Sequence, residues 1–230
     1  MTRDNFHNTL KEAENKVLLM GEIIHDLLSD LIFVFQSKVL DADKVREIIT
    51  KESRLDDLEF EIEKMCMELL ALQQPMAIDL RTIMCIIKIS IDLERIGDHI
   101  RKVGRKTRKV VELQEFGDFS SLAEMTILLR QMVEQIMIAF KEKNVKLSQT
   151  TQKFDGQINQ IQRSLFIHYI DKMRLQPDEQ VISSGIYLLF ITRFLERIGD
   201  HVQNIGERIN FMVTGDIKQL KGQSYPAKKV

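Results

Sequence analysis

The sequence predicts an all-α fold of two tandem three-helix bundles, and three observations carry that expectation. The heptapeptide Leu93-Glu94-Arg95-Ile96-Gly97-Asp98-His99 returns unchanged 102 residues later as Leu195-Glu196-Arg197-Ile198-Gly199-Asp200-His201. Gln74-Pro75 and Gln176-Pro177 keep the same separation, so one half of the chain repeats the other. Only three prolines and ten glycines interrupt 230 residues in which Leu, Ile, Met, Glu and Lys recur, a composition that favours helix over strand.

The first helix is expected over about 5–36, where Leu10, Val17, Ile24 and Leu31 recur every seven residues with Met20, Leu28 and Phe35 on companion positions, the pattern of a bundle seam. Asp41-Ala42-Asp43 offers capping chemistry for a second helix over 43–72, whose apolar stripe is Leu55, Leu58, Ile62, Met65 and Leu69. Gln73-Gln74-Pro75 ends it, because proline cannot continue the hydrogen-bond ladder but suits a first turn, so a third helix should run over 76–112. Phe116-Gly117-Asp118 divides the halves, and Ser121-Leu122-Ala123-Glu124 has the form of a capping box. A fourth helix then carries the seam Met125, Leu129, Met132, Ile136 and Phe140, with a fifth over 148–174 and a sixth over 177–213. The expected units are a first bundle over 1–115, a second over 116–215 and a loose basic tail over 216–230. A single six-helix stack is the alternative arrangement of the same helices.

With 44% hydrophobic and 29% charged residues, the chain can fill a core and is too polar for a membrane bundle. Its longest apolar runs, over 83–93 and 181–191, are broken by Lys88 or by Ser183-Ser184-Gly185 and fall short of the ~20 residues a bilayer needs. Arg3, Asp4, Lys11, Glu12 and Glu14 leave no early apolar run for a signal peptide. Cys66 and Cys85 lack paired spacing, which argues against a disulfide framework or zinc knuckle and fits the reducing cytoplasm. A net charge of -1 names no partner.

The chemistry concentrates in carboxylates. At 100° per residue Glu52, Asp56, Glu59 and Glu63 fall at about 0°, 40°, 340° and 20°, one acidic stripe on the second helix. An acidic solvated face is the ordinary explanation, although like charges at this spacing repel by a few tenths of a kcal/mol per pair. On the third helix Glu94 and Asp98 continue a track begun by Ile83 and Ile87, so they lean toward the bundle, where carboxylates must be paired, protonated or holding a cation. Glu-x-x-x-Asp at one-turn spacing can reach one hard ion or two neighbouring ions. Arg95 and Arg197, read as pointing about 100° away, are set aside as counter-ions for their own motif.

In the second half Asp155, Asn159 and Gln162 replace the first acidic stripe, while Glu196 and Asp200 continue into Asn204 and Glu207 where the first half has Lys102 and Arg105. Two non-equivalent cation sites follow: Glu52, Asp56, Glu59, Glu94 and Asp98 in one, and Asp155, Asn159, Glu196, Asp200, Asn204 and Glu207 in the other. His99 and His201 fall off the stripes and are expected to pack or hydrogen-bond. Gly97 and Gly199 sit mid-helix, either for close helix approach or to leave room for an ion.

Asp79-Leu80-Arg81, the two Gln-Pro turns, the duplicated Glu-Arg-Ile-Gly-Asp segments and Asn204-Ile205-Gly206-Glu207 together resemble the PhoU family, and the resemblance covers nearly the whole chain. It implies a non-enzymatic cytoplasmic adaptor that negatively regulates the phosphate-starvation response, between the ATPase subunit of the phosphate ABC transporter and the sensor histidine kinase. It further implies a homodimer and multinuclear sites for iron, zinc or manganese. Lys102 and Arg105 depart from the family's Asn and Glu, as Asn159 departs from the usual acidic second helix. The competing reading is a carboxylate-bridged di-iron bundle protein, which wants Glu-x-x-His on two helices; Glu22-Ile23-Ile24-His25 is the one match. A histidine phosphotransfer module has only His25-Asp26 to offer.

The segment Arg101-Lys102-Val103-Gly104-Arg105-Lys106-Thr107-Arg108-Lys109 has six bases, no acid and no repeat counterpart. Arg101, Lys102, Arg105, Lys106 and Arg108 are candidate contacts for an anionic partner, set against a plain solvated helix end favoured by the dipole. No aromatic residue is interleaved, which speaks against specific nucleic-acid binding, and membrane proximity is expected only through partners.

Overall fold

The seven-residue rhythm of the first helix becomes a buried face: Leu10, Val17, Ile24 and Leu31 all lie in the core. The computed structural model describes residues 3–37, 42–73, 75–113 and 119–216, and there this helix is α1 (Arg3–Gln36). It is followed by α2 (Ala42–Lys51), α3 (Ser53–Gln73), α4 (Ala77–Leu113), α5 (Ser120–Glu142), α6 (Val145–Thr150), α7 (Gln152–Leu175) and α8 (Glu179–Thr214). The described residues form no strand. Asp41, Gln74, the Phe116-Gly117-Asp118 break and residues 217–230 of the tail lie outside them.

The helices expected over 43–72 and 148–174 are each interrupted near their start, so α2 with α3 and α6 with α7 form two broken rods. At the first break the Leu55 N–H donates to the Glu52 carbonyl at 2.8 Å, a tight three-residue turn. At the second, the Phe154 N–H reaches the Thr151 carbonyl at 3.1 Å, and the Thr151 hydroxyl donates to the Ser148 carbonyl at 2.7 Å. Both break residues are polar and buried. After Val45 and Ile48 the next seam positions are Glu52 and Leu55, so Glu52 falls on the core side of the rod rather than on an outer stripe.

The ends are held by local chemistry. The capping box at Ser121 does not form: α5 begins two residues earlier, Phe119 is its N-cap without a side-chain bond, and the buried Phe119 ring stacks on Phe35 at 6.3 Å. Lys143, in the left-handed region at φ 53°, closes α5, and Asn144 then accepts from the Leu147 N–H at 3.0 Å to start α6. Asp178 caps α8 by accepting from the Gln180 N–H at 2.8 Å.

The two halves share one continuous core. Within them α1, α3 and α4 pack together, as do α5, α7 and α8, and the most extensive contact joins the halves along α4 and α8. That pair is antiparallel, from Cys85 against Arg208 at one end to Lys106 against Tyr187 at the other. α1 and α5 also run antiparallel, tied by Lys143 to Glu14 at 3.3 Å and Arg130 to Ser29 at 3.2 Å. The tandem bundles are thus pressed into one six-rod stack, with α3 and α7 on its two flanks.

The two mid-helix glycines serve different contacts. A Cβ on Gly97 would overlap Leu55 Cδ1 and sit 3.3 Å from Glu52 Cγ, so the first is a close approach of α4 to α3. On Gly199 the nearest atom would be Leu129 Cδ2 at an ordinary 3.6 Å. Overpacking costs about 1–3 kcal/mol, whereas alanine gains about 1 kcal/mol of helix propensity over glycine. Gly97→Ala is therefore expected to lower the urea midpoint and Gly199→Ala to hold or raise it. Equal shifts for the two would contradict this difference in packing.

Candidate metal centres

In the first half the helix break puts Glu52 against α4 with 1% of its surface exposed. Its Oε2 lies 3.4 Å from the Arg101 Nε, and its Oε1 is buried with no hydrogen-bond partner. Burial pushes the Glu52 carboxyl above its ordinary range against the pull of Arg101, and Asp56, Asp98 and Glu94 add to the rise. Glu59 is raised by burial and by Glu63. Glu94 is raised by burial, against the pull of Arg95, with Glu59, Asp98 and Asp56 adding to it. Glu52, Asp56, Glu59, Glu94 and Asp98 thus share one electrostatic neighbourhood, whose oxygens chemically suit a hard or borderline cation.

Part of that charge is already answered from within. Asp98 accepts from Arg101 and, at 2.7 Å, from Lys102. Although burial pushes the Asp98 carboxyl up, these two bonds outweigh it and hold the group below its usual range. Arg95 Nε lies 3.4 Å from Glu94. Arg197 reaches Asp200 at 3.0 Å. The motif arginines are therefore counter-ions after all: Arg197 and Asp200 are three residues apart, which brings side chains together on a helix.

In the second half Glu196 is raised by burial and by Asp200, and is paired with Arg193 at 2.6 Å. Asn159 donates to Asp155 at 3.1 Å on α7. Glu207 is half-buried on α8. Asn204 departs from this group, because its amide crosses to α4 and donates to Asp92 at 3.2 Å. Among the described residues, no three His, Cys, Asp or Glu side chains already converge as a metal cage. Among the described residues, the one buried carboxylate oxygen without a partner belongs to Glu52. Glu22 and His25 line an open groove between α1 and α5.

Between the clusters the two heptapeptides meet across α4 and α8. His201 Nδ1 lies 2.9 Å from Asp92 Oδ1, whereas His99 stacks on Phe194 at 5.8 Å, and the two imidazoles are 5.5 Å apart. Phe194 stands 102 residues after Asp92, as His201 does after His99, so the two contacts occupy equivalent places. The next repeat mates follow suit: Asn204 donates to Asp92, and Lys102 lies 6.0 Å from the Phe194 ring centre. One end of the seam is polar and the other aromatic. Burial, with Lys102 and His201 nearby, lowers the His99 pKa to about 4, so this imidazole is neutral at pH 7. Asp92 is not among the candidate site residues, and its replacement by Phe194 in the second repeat is the signal that marks it.

The basic segment divides. Arg101 and Lys102 serve Asp98, and Arg108 pairs with Glu112 at 3.7 Å. Arg105 and Lys106 form no ion pair with the described residues. Lys106 Nζ lies 5.1 Å from the Tyr187 ring and 5.4 Å from that of Phe190, so aromatics absent from the segment itself arrive from α8.

Comparison with known proteins agrees with this duplicated arrangement. The family model described as PhoU domain matches the chain twice, over residues 17–107 and 122–209. The phosphate-specific transport system accessory protein PhoU homolog of Streptococcus pneumoniae serotype 4 is 31% identical over 218 residues, covering 95% of this chain and 99% of the relative. The homolog of the same description from Clostridium acetobutylicum is 28% identical over 216 residues, covering 94% and 97%. The crystal structure of PhoU from Pseudomonas aeruginosa superposes with a TM-score of 0.85 at 27% identity, covering 92% of this chain and 100% of that one. That of the phosphate transport system regulatory protein PhoU from Streptococcus pneumoniae gives 0.83 at 29%, covering 93% and 99%. With both repeats matched and the whole stack shared, the chain belongs to the PhoU family.

Proposed function

We propose that this chain is a metal-binding regulator of phosphate uptake and of the phosphate-starvation response. It acts in the cytoplasm as a non-enzymatic adaptor and homodimer, between the ATPase subunit of the phosphate ABC transporter and the sensor histidine kinase that it keeps switched off. Its relatives are named as accessory and regulatory proteins of phosphate transport, which supports the regulatory part. No described helix is long and apolar enough to cross a membrane, which accords with an adaptor reaching the transporter through its partners.

The single observation that supports metal binding is the buried Glu52 Oε1, left without a partner among carboxylates raised by burial and by one another. Glu52, Asp56, Glu59, Glu94 and Asp98 would hold iron, zinc or manganese in the first half. Asp155, Asn159, Glu196, Asp200 and Glu207 would do so in the second, with Asn204 available only if it released Asp92. A bound cation would supply the positive charge that these oxygens lack. Arg101 and Lys102 already occupy Asp98, so the first site must compete with its own side chains for that ligand.

Elemental analysis of the purified protein is expected to find bound transition metal, reduced in Glu94→Ala/Asp98→Ala and in Glu196→Ala/Asp200→Ala. Unchanged metal content in both would remove the assignment. Glu52 gives a test that depends on pH. Its folded carboxyl binds a proton more tightly than the ordinary 4.5 of the unfolded chain, so its cost is absent below that pH and grows as pH rises through the raised value. Metal-free Glu52→Gln is therefore expected to be more stable than the parent at pH 7 by about 1 kcal/mol, with the difference vanishing near pH 4. Added manganese should raise the parent's melting temperature more than the variant's. Deleting the gene should leave starvation genes expressed in high phosphate, as read by a reporter; normal repression would sink the adaptor reading.

A further inference from the structure

Phe190 belongs to two features that the carboxylate clusters do not use. With Tyr187 its ring holds the Lys106 ammonium, at 5.4 and 5.1 Å. It also lines a groove of about 320 Å³ between α7 and α8, together with Gln162, Phe166, Ile186, Leu189, Thr192 and Arg193. Phe166, Ile186 and Phe190 are 55%, 44% and 46% exposed, and Ile167 and Ile170 extend the exposed apolar surface along α7. Contiguous exposed apolar surface of this kind marks a contact site more often than an ordinary solvated face.

The edges say what should cover it. Lys106, held against Phe190, carries no acidic partner among the described residues, so the apolar strip is bordered by a cation not neutralised from within. Its apolar side chains line a concavity between two rods, where the apolar ridge of a helix can seat. A bilayer would instead need apolar side chains projecting from one face. That cation could receive a carboxylate flanking the seated ridge, since an aromatic-flanked ammonium group remains available to anions.

We propose that the α7–α8 groove, with Lys106 at its edge, docks an amphipathic helix of another protein that presents acidic residues beside its apolar ridge. The surface needs no metal, so it stands or falls apart from the carboxylate sites.

The test is fluorescence anisotropy of the full chain with a labelled synthetic helical peptide of about 18 residues, five turns long, bearing leucines on one face and glutamates beside them. A twin peptide replaces each glutamate by lysine. Saturable binding of the glutamate peptide is expected, weakened about tenfold or more by Phe190→Ser or Lys106→Glu, with Lys106→Glu improving binding of the lysine twin. Lys106→Gln, which removes the charge without reversing it, supplies a second variant if Lys106→Glu does not fold. Equal binding of the twins, insensitivity to these substitutions, or no saturable binding would overturn the proposal. So would preferential binding to vesicles of phosphatidylcholine with phosphatidylglycerol.

Discussion

The antiparallel contact of α4 with α8 is the constraint on which the rest of the molecule depends. It brings two copies of one heptapeptide face to face, with Leu93, Ile96, Leu195 and Ile198 all fully buried. Each helix must bury a second face against its own half, α4 on α3 and α8 on α7. The polar letters of the heptapeptide are thereby divided between surroundings: its histidine is turned to the seam, and its glutamate and aspartate lie among the half-buried charges outside it. The clusters flank the seam because the repeat unit allows both contacts at once.

Charge burial is the main cost this architecture carries. Glu52 stands on the core side of its rod as a consequence of the seam rhythm, and one of its oxygens is answered by Arg101 while the other is not. An unpaired buried acceptor of this type costs about 1–3 kcal/mol. Arg101 bridges Glu52 and Asp98, so a change at any of the three charges alters the other two. The second half has Thr151 at its break, whose hydroxyl bonds within its own turn and leaves no such deficit. The clusters are therefore unequal in burial as well as in letters.

Much of the fold was legible in the sequence because it rests on local periodicity. Every seam residue named for α1 and α5 is buried, and the chain breaks near both Gln-Pro turns. What was not legible depends on how rods meet. An angular projection along 52–63 sets Glu52 on an outer acidic stripe, whereas the rhythm of Val45 and Ile48 upstream puts it on the core side. The capping pattern at Ser121 lost to the Phe119–Phe35 stack, a tertiary contact stronger than a local preference. Arg197 pairs with Asp200 three residues on rather than with Glu196, from which its angle is taken, and Arg95 reaches its neighbour Glu94 at 3.4 Å despite the 100° between them. The histidines were read as packing or hydrogen-bonding residues, and one does each. Which does which is written in the pair Asp92 and Phe194, visible only when the repeats are laid across each other rather than side by side.

The seam has a further consequence for how such a chain can diverge. Two separate half-length chains meeting this way would form an isologous interface, in which any residue change appears at both ends together. An acid facing imidazole at one end would oblige the same acid at the other. Joining the halves into one polypeptide removes that obligation, and here the two ends have separated into an imidazole–carboxylate contact and an aromatic–cation contact on the same backbone frame. Covalent linkage thus gives a pseudo-symmetric molecule two sides that can be told apart.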